Sequence, residues 1–414
     1  MQAWKNQASD NRFFIFLAMI TGFCISCEYA IVRPIINSVF LSLYSSTALP
    51  IVWIVAIPIN LVIVSFYNRY LPLLGLKRMF MLIMGLILVS NVAGVWLLDK
   101  SPLFTVFHFI WKETYVLLLY QSLWSVIHSS VSENQSKSLY GLMFGIGGFG
   151  SVVGSLIPGF FAQKLGSENL LLFSVPVGLL LIYLYFMVLK YSKAVNLDTE
   201  LKSGGQKPSK FINGIQLIMK SPLLKLILVL VCLMQLSATL IDFQFNAFLQ
   251  EAYPLKNLRT EFMGQLGGII STATLIIQFL GVYLLTQWLG LRGAHMMVPV
   301  FLACNALAAF LYPSLSILAV CFASIKIVDF SVFGVIKEML YVGLPRDEKF
   351  QAKAVIDVFF YRTAKAAAAL IILFLQITPF INQRMISGVN FALFIVWVFV
   401  VLMLFKPAMQ AKKA

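Results

Sequence analysis

Long apolar runs follow one another along most of the chain, separated by short segments rich in Lys, Arg, Gly and Pro. A helix needs about 20 apolar residues to cross the hydrocarbon core of a bilayer, and the runs have about that length. The pattern predicts an all-α membrane protein with twelve membrane-spanning helices. These are numbered spans 1 to 12, over residues 13–40, 48–67, 79–98, 104–128, 139–163, 170–189, 223–249, 263–287, 294–311, 316–343, 354–377 and 388–405.

A lysine-rich polar stretch interrupts this succession after the sixth run. It predicts an N-terminal six-helix half over residues 1–189, a cytoplasmic linker over 190–222 and a C-terminal six-helix half over 223–414. Two six-helix halves joined by a basic linker resemble the major facilitator superfamily, in which each half is a pair of inverted three-helix repeats. The resemblance implies transport by alternating access, with spans 1, 4, 7 and 10 lining a central cavity.

Composition and charge placement also indicate a protein embedded in lipid. Hydrophobic residues make up 60% of the chain and charged residues only 11%, whereas soluble domains are about 25% charged. The net charge of +15 comes largely from Lys and Arg in alternate loops, which the positive-inside rule places in the cytoplasm. We therefore predict that both termini are cytoplasmic and that the basic residues do not bind nucleic acid.

Nine ionisable side chains lie in the central parts of the predicted spans, and all nine fall on the four cavity-lining spans. A charge at the centre of a bilayer helix costs about 2.5–3.5 kcal/mol on insertion scales, so such residues face a protein interior or a wet cavity. They are Glu28 and Arg33 on span 1, Lys112 and Glu113 on span 4, Asp242 on span 7, and Lys326, Asp329, Lys337 and Glu338 on span 10. They predict a polar, mostly cationic and partly self-paired cavity.

Span 10 carries the densest set of these charges. Lys326 and Lys337 are eleven residues apart, about three helical turns, so they share a face. Asp329 is one turn from Lys326 and can pair with it. The two lysines form a cationic stripe along span 10, which favours an anionic substrate. Such a substrate would compete with the Asp329 carboxylate for the Lys326 ammonium. The alternative interpretation is a set of ion pairs that only locks helices together.

Several of the charges are predicted to serve as gates or ion pairs. Glu338 lies at the membrane boundary near Arg346 and Lys349, which suggests a cytoplasmic gate. The full set predicted for gating or ion pairing is Glu28, Lys112, Asp329, Glu338, Asp357 and Arg362.

On span 1, Arg33 precedes Pro34, which predicts a disrupted helix with freed backbone carbonyls. The planar guanidinium suits phosphate oxygens, although snorkelling to the outer interface is an alternative. On span 4, Lys112 and Glu113 are neighbours about 100° apart on a helix, so they are not expected to point at the same spot.

The sequence lacks the residue patterns that ATP hydrolysis, metal binding or catalysis would need. The glycine-rich run of span 5 is membranous and contains no phosphate-loop motif, so it predicts small-residue helix packing and no ATP hydrolysis. The cysteines lie in apolar runs as packing residues, and the three histidines are isolated. We predict no catalytic residues, no metal site and no cofactor.

The most specific motif begins at Lys337. It reads Lys337-Glu338-Met339-Leu340-Tyr341, then Leu344-Pro345, Glu348-Lys349, Ala352-Lys353-Ala354, Ile356-Asp357-Val358, Arg362 and Lys365. This segment resembles the signature of the non-mitochondrial ADP/ATP translocases, the nucleotide transporters of obligate intracellular bacteria and plastids. Weaker similarity runs through spans 4 and 5 and from span 7 into span 8.

The resemblance implies exchange of nucleotides such as ATP and ADP. In that family an early cation, two intramembrane acids and a late lysine are needed for exchange, and these map to Arg33, Glu113, Asp242 and Lys337. This chain departs from the family at Arg33-Pro34, where the family has Lys then Asp, and at Asp242, where it has Glu.

These observations predict a secondary active transporter of the bacterial inner membrane with an anionic, nucleotide-like substrate. Its phosphates would meet Arg33, Lys337 and Lys326, while Glu113 and Asp242 keep the cations poised. An alternative is a proton-coupled carrier of another organic solute, with Glu113 or Asp242 as the protonatable group. A membrane-embedded enzyme or receptor would instead predict clustered catalytic residue types, which the sequence lacks.

Overall fold

A computed structural model describes residues 9–130, 133–192, 211–341, 352–353, 355–377 and 383–406. All regular secondary structure in these ranges is helical, which confirms the predicted all-α class. The helices of the first six spans are Ser9–Leu43, Leu49–Leu97 (spans 2 and 3), Pro102–Ser130, Glu133–Leu165 and Ser174–Tyr191. Those of the last six are Pro222–Ala252, Lys256–Ile276, Val282–Leu311, Leu315–Val328, Gly334–Leu340, Tyr361–Ile377 and Gln383–Leu404, with a short helix at Phe211–Lys220 before them.

Two glycines break helices that otherwise run continuously. Gly75 has φ 75° and ψ 165° between spans 2 and 3, and Gly290 has φ 65° and ψ 174° between spans 8 and 9. A side chain would clash in this backbone region, so glycine is the residue that allows the chain to turn there.

The described helices are consistent with twelve membrane spans. Among the described residues, ten stretches are long and apolar enough to cross a membrane, and one of them, Ser46–Leu97, has 52 residues, which is enough for spans 2 and 3. The helix Pro102–Ser130, predicted as span 4, is not one of the ten but has 29 residues. Lys112 and Glu113 lie within it, and such charges lower the hydropathy of a span.

The chain divides into two compact units. Unit 1 comprises the described parts of Met1–Tyr44, Pro58–Gly205 and Tyr253–Leu275. Unit 2 comprises those of Ser45–Ile57, Gln206–Ala252 and Ile276–Ala414. The beginning of span 8 thus belongs to unit 1, and the beginning of span 2 to unit 2. The division into halves at residues 190–222 stays a prediction.

Span 1 is the central helix of unit 1, and most of its residues are buried. Span 5 approaches it closely through glycines. A Cβ on Gly150 would lie 2.1 Å from the carbonyl oxygen of Phe23, and one on Gly154 would lie 2.3 Å from that of Cys27. The glycine-rich run of span 5 therefore provides the small-residue packing that the sequence predicts.

The beginning of span 8 is fastened to unit 1 by polar contacts. The Lys256 ammonium forms ion pairs of 2.6 Å with both Asp99 and Glu168. The Ser167 backbone N–H donates to Asn257 Oδ1 at 3.0 Å. One turn of span 8 thus contacts the ends of several unit 1 helices.

Replacing Gly264 with alanine is expected to destabilise unit 1, because a Cβ there would lie 2.5 Å from the backbone nitrogen of Gly159 on span 5. Overpacking of this kind costs about 1–3 kcal/mol. Gly268→Ala is the matched control, since its Cβ would meet only the Ser155 Cβ at 3.7 Å. Thermal unfolding in detergent should show a lower Tm for G264A than for G268A. Equal Tm values would contradict the close helix contact.

Span 7 is the central helix of unit 2 and packs against spans 10, 11 and 12. The Phe245 ring on span 7 stacks on Phe322 of span 10 at 4.3 Å between centroids. Spans 10 and 11 each contain a π-helical turn, at Asp329–Phe333 and Val355–Phe360. Turns of this type are rare and are frequent at functional sites.

Candidate functional site

The span 1 helix exposes a single narrow stripe in its second half. Between residues 24 and 40, only Tyr29, Arg33 and Asn37 are not buried, and their spacing of four residues puts them on one face. The predicted disruption at Pro34 is wrong, because the helix continues through it to Leu43. Proline already has a helical φ and removes a single backbone hydrogen bond, which the surrounding packing tolerates here.

Span 4 contributes an ion pair between neighbours. The Lys112 ammonium lies 2.7 Å from Glu113 Oε1, although Lys112 is 1% exposed and Glu113 39%. Tyr29 donates its hydroxyl proton to the same oxygen at 3.0 Å. The Lys112 ammonium also lies 4.1 Å from the centroid of the Phe109 ring. The expectation that the two charges point apart is wrong, because the long lysine chain bends back to its neighbour.

Glu28 differs from the other intramembrane acids. It is 1% exposed and accepts hydrogen bonds of 3.0 Å from Asn91 and Tyr115. Both hydrogen-bond partners are neutral, and no described lysine or arginine forms the ion pair predicted for Glu28.

In unit 2, span 10 forms two ion pairs with other helices. Lys326 lies 3.6 Å from Asp242 on span 7, and Lys337 lies 2.8 Å from Asp357 on span 11. All four side chains are partly exposed. Asp329 interacts electrostatically with both lysines, but the ion pair of Lys326 is with Asp242 and not with Asp329 as expected. Spacing along one helix does not reveal partners on another.

The end of span 10 forms a further pair. Glu338 Oε2 lies 2.7 Å from the Lys353 ammonium. Its predicted neighbours Arg346 and Lys349 lie outside the described residues. Arg362 on span 11 has no described carboxylate within ion-pairing distance, so its gating role stays a prediction.

Two aromatic residues that the sequence pattern did not single out join these charges. Tyr29 binds Glu113, and its position four residues before Arg33 on one helix could have pointed to it. Trp53 lies in unit 2 with its ring centroid 5.3 Å from the Lys365 ammonium. These residues are more than three hundred positions apart, so no local pattern signals that contact. Among the described residues, no group of His, Cys, Asp and Glu has a metal-binding arrangement.

The arrangement suits reversible capture of an anion. Each unit offers partly exposed ionic groups inside a largely apolar helix bundle. In unit 2, Lys326 and Lys337 each already have a carboxylate partner, so an anionic ligand would replace one charged contact with another. Such an exchange requires no bare buried charge at any stage.

Several characterised proteins are similar in sequence to the chain. It is 25% identical to the chloroplastic ADP,ATP carrier protein 2 of Arabidopsis thaliana, over 67% of this chain and 49% of that protein. It is 26% identical to the ADP,ATP carrier protein 1 of Chlamydia pneumoniae, over 69% of this chain and 63% of that protein. It is 22% identical to the ADP,ATP carrier protein 1 of Rickettsia typhi, over 75% of this chain and 69% of that protein. The chain thus spans about half the length of the plant relative. These similarities confirm the resemblance seen in the sequence.

Solved structures share the fold. The nucleoside transporter NupG, as its D323A mutant, aligns with a TM-score of 0.66 and 11% identity, over 95% of this chain and 100% of that one. A D-xylose-proton symporter aligns with a TM-score of 0.64 and 14% identity, over 95% and 98%. The sequence model of the Major Facilitator Superfamily matches residues 118–361, more than half of the chain. The chain belongs to the major facilitator superfamily.

Proposed function

We propose that the protein exchanges nucleotides, ATP for ADP, across the bacterial inner membrane by alternating access. The observation that carries this proposal is the pair of partly exposed lysine–carboxylate contacts on span 10, Lys326 with Asp242 and Lys337 with Asp357. The similarity to ADP,ATP carriers from bacteria and plastids supports nucleotides as the substrate class.

Substrate binding would be an exchange of partners in unit 2. Phosphate oxygens compete with Asp242 and Asp357 for the two ammonium groups. A hydrogen bond to a charged group contributes about 1.5–3 kcal/mol, and the hydrogen bonds formed to phosphate are of the same kind as those broken to carboxylate. The bound and empty states therefore stay close in free energy, as a carrier that must release its cargo requires.

In unit 1, we assign phosphate contacts to the stripe on span 1, considered by itself. Arg33 offers a planar fork that suits phosphate. Glu113, held by Lys112 and Tyr29, would reject excess negative charge beside it. We assign gating to the pair of Glu338 with Lys353 and to Arg362, at the end that we propose to be cytoplasmic together with both termini.

Replacing Asp242 with asparagine is expected to raise nucleotide affinity and slow turnover. The change removes the competitor of phosphate for Lys326 at a partly exposed site, where an ion pair contributes at most about 1 kcal/mol. The expected result is a decrease of up to about fivefold in the apparent KM of uptake, with a lower maximal rate. An unchanged KM would contradict competition between Asp242 and the substrate.

The proposal is tested by uptake of labelled ATP into proteoliposomes that contain the purified protein, with and without internal ADP. We expect uptake that depends on internal ADP and persists with an uncoupler. Xylose serves as a negative control for solute specificity. Uptake that collapses with the uncoupler would favour a proton-coupled carrier. No nucleotide uptake by folded protein would rule out the proposed substrate.

A further inference from the structure

The carboxyl group of Glu28 lies inside unit 1 with its two oxygens in different surroundings. Oε1 accepts two hydrogen bonds, from Asn91 Nδ2 and from the Tyr115 hydroxyl, each at 3.0 Å. Oε2 is buried and has no hydrogen-bond partner among the described residues. The side chain is thus bound strongly on one side and left without a donor on the other.

The hydrogen bonds around Glu28 have fixed directions. The amide nitrogen of Asn91 donates to Glu28 and also to Ser174 Oγ at 2.9 Å. Its amide oxygen is left to accept from His108 Nε2 at 3.1 Å. His108 therefore carries its proton on Nε2, and its buried Nδ1 has no partner among the described residues. A neutral ring fits these contacts, because a buried imidazolium would need a carboxylate partner, and no described carboxylate binds His108.

No charged group balances Glu28 in the part of the chain that the structure describes. On span 4, the Lys112 ammonium is bound to Glu113 and lies over the Phe109 ring. Span 3 contributes Asn91, and span 6 contributes Ser174 at its first residue. The titratable neighbours on span 1 itself are the Cys27 thiol, which is also buried, and the Tyr29 hydroxyl, which donates to Glu113. Span 5 meets this part of span 1 with glycines. The groups around Glu28 are therefore neutral donors and acceptors.

An ionised carboxylate is unfavourable in this position. A buried charge needs an opposite charge or donors on both oxygens, and Glu28 has neither among the described residues. A neutral carboxylic acid fits the contacts, because a carbonyl oxygen readily accepts two hydrogen bonds. Oε1 is then the carbonyl oxygen and Oε2 carries the proton.

We propose that Glu28 is a proton-binding site, occupied by a proton in the conformation described here. Spans 1 and 4 present two tyrosine–carboxyl contacts, Tyr115 with Glu28 and Tyr29 with Glu113. Of Glu28 and Glu113, only Glu113 has an ammonium partner in the described structure. We therefore assign a negative charge to Glu113 and none to Glu28. Glu28 can release its proton to water only when the packing of spans 1, 3 and 4 opens. Proton occupancy is thereby linked to the conformation of unit 1, whatever solute the protein carries.

Infrared spectroscopy of the purified protein tests the protonation state directly. The difference spectrum between wild type and Glu28→Gln at neutral pH should contain the carbonyl stretch of one protonated carboxylic acid, shifted in D₂O. Asp99→Asn is the control, because Asp99 is an exposed acid that pairs with Lys256, and its difference spectrum should show a carboxylate. Loss of a carboxylate band and no acid band in E28Q would overturn the proposal.

Thermal unfolding gives a second test that needs no transport. Glutamine reproduces the neutral acid without the cost of taking up a proton, so at neutral pH E28Q should unfold at or above the wild-type Tm, whereas Glu28→Ala should lower the Tm. The wild-type Tm should fall more steeply than that of E28Q as the pH is raised. Ionisation of Glu28 in the unfolded chain favours unfolding of wild type at higher pH, and E28Q has no such group. If E28Q is as unstable as E28A at neutral pH, the proposal is wrong. Both tests are independent of the nucleotide assignment.

Discussion

Replacing Lys337 with alanine is expected to reduce nucleotide exchange by about 10- to 100-fold, because a hydrogen bond from a charged donor to phosphate contributes about 1.5–3 kcal/mol. Both the sequence and the structure single out this cation. The signature motif begins with Lys337, and its ammonium lies 2.8 Å from Asp357 at a partly exposed position of unit 2. The measurement is the initial rate of labelled ATP uptake into ADP-loaded proteoliposomes, normalised to folded protein.

Two further variants separate substrate binding from helix locking. In K337A alone, Asp357 loses its ammonium partner, which could disturb spans 10 and 11. The double variant K337A/D357N removes both charges and should restore the Tm of the protein but not its transport. If the double variant also recovers exchange, the pair is structural only, and the assignment of Lys337 to the substrate path fails.

Replacing Arg259 with alanine is expected to destabilise unit 1 by at least about 3 kcal/mol, since a hydrogen bond from a charged group contributes about 1.5–3 kcal/mol and several are lost. Arg259 is 1% exposed and lies in the first turn of span 8. Its guanidinium donates to the carbonyl oxygens of Tyr253, Pro254 and Ser38 at 3.1, 3.3 and 3.1 Å, and to the Ser42 hydroxyl. Ser38 and Ser42 belong to the last turns of span 1, where a positive charge also stabilises the helix dipole.

Arg259→Lys is the matched variant for this prediction. It keeps the charge but loses the planar fork, so it should lie between wild type and R259A in thermal unfolding. If R259K and R259A unfold at the same temperature, the geometry of the fork carries the stability. If R259A is as stable as wild type, the contact between spans 1 and 8 contributes nothing, and the prediction is wrong.

The helices could be predicted from the sequence because bilayer-spanning segments are set by local composition. The predicted spans agree with the helices, and the chain turns at Gly75 between spans 2 and 3 and at Gly290 between spans 8 and 9. Pro34 shows the limit of a local rule. It can break a helix in isolation, but residues 31, 32, 35 and 36 around it are fully buried, and their packing keeps the helix continuous.

The charged residues of the candidate site could be identified from the sequence, but the ion pairs that they form could not. Charges are too costly in a membrane to be placed without function or a partner, so Lys326, Asp242 and Lys337 could be recognised from their positions alone. Which carboxylate faces which lysine depends on how separate helices pack. Asp242 is 84 positions from Lys326, and a spacing rule confined to one helix selects Asp329 instead. Glu28 is likewise an acidic residue within a predicted span, which suggests an ion pair, but its hydrogen-bond partners in the structure are neutral.

Release of internal substrate distinguishes obligatory exchange from other kinds of transport. Proteoliposomes loaded with labelled ADP should retain the label in plain buffer and release it when ATP is added outside, in proportion to the ATP taken up. Lys337→Ala should slow this release by the same factor as uptake, about 10- to 100-fold, without making the liposomes leaky. Release at the same rate with and without external ATP would contradict an exchanger, and the same would hold if ATP entered without any loss of ADP.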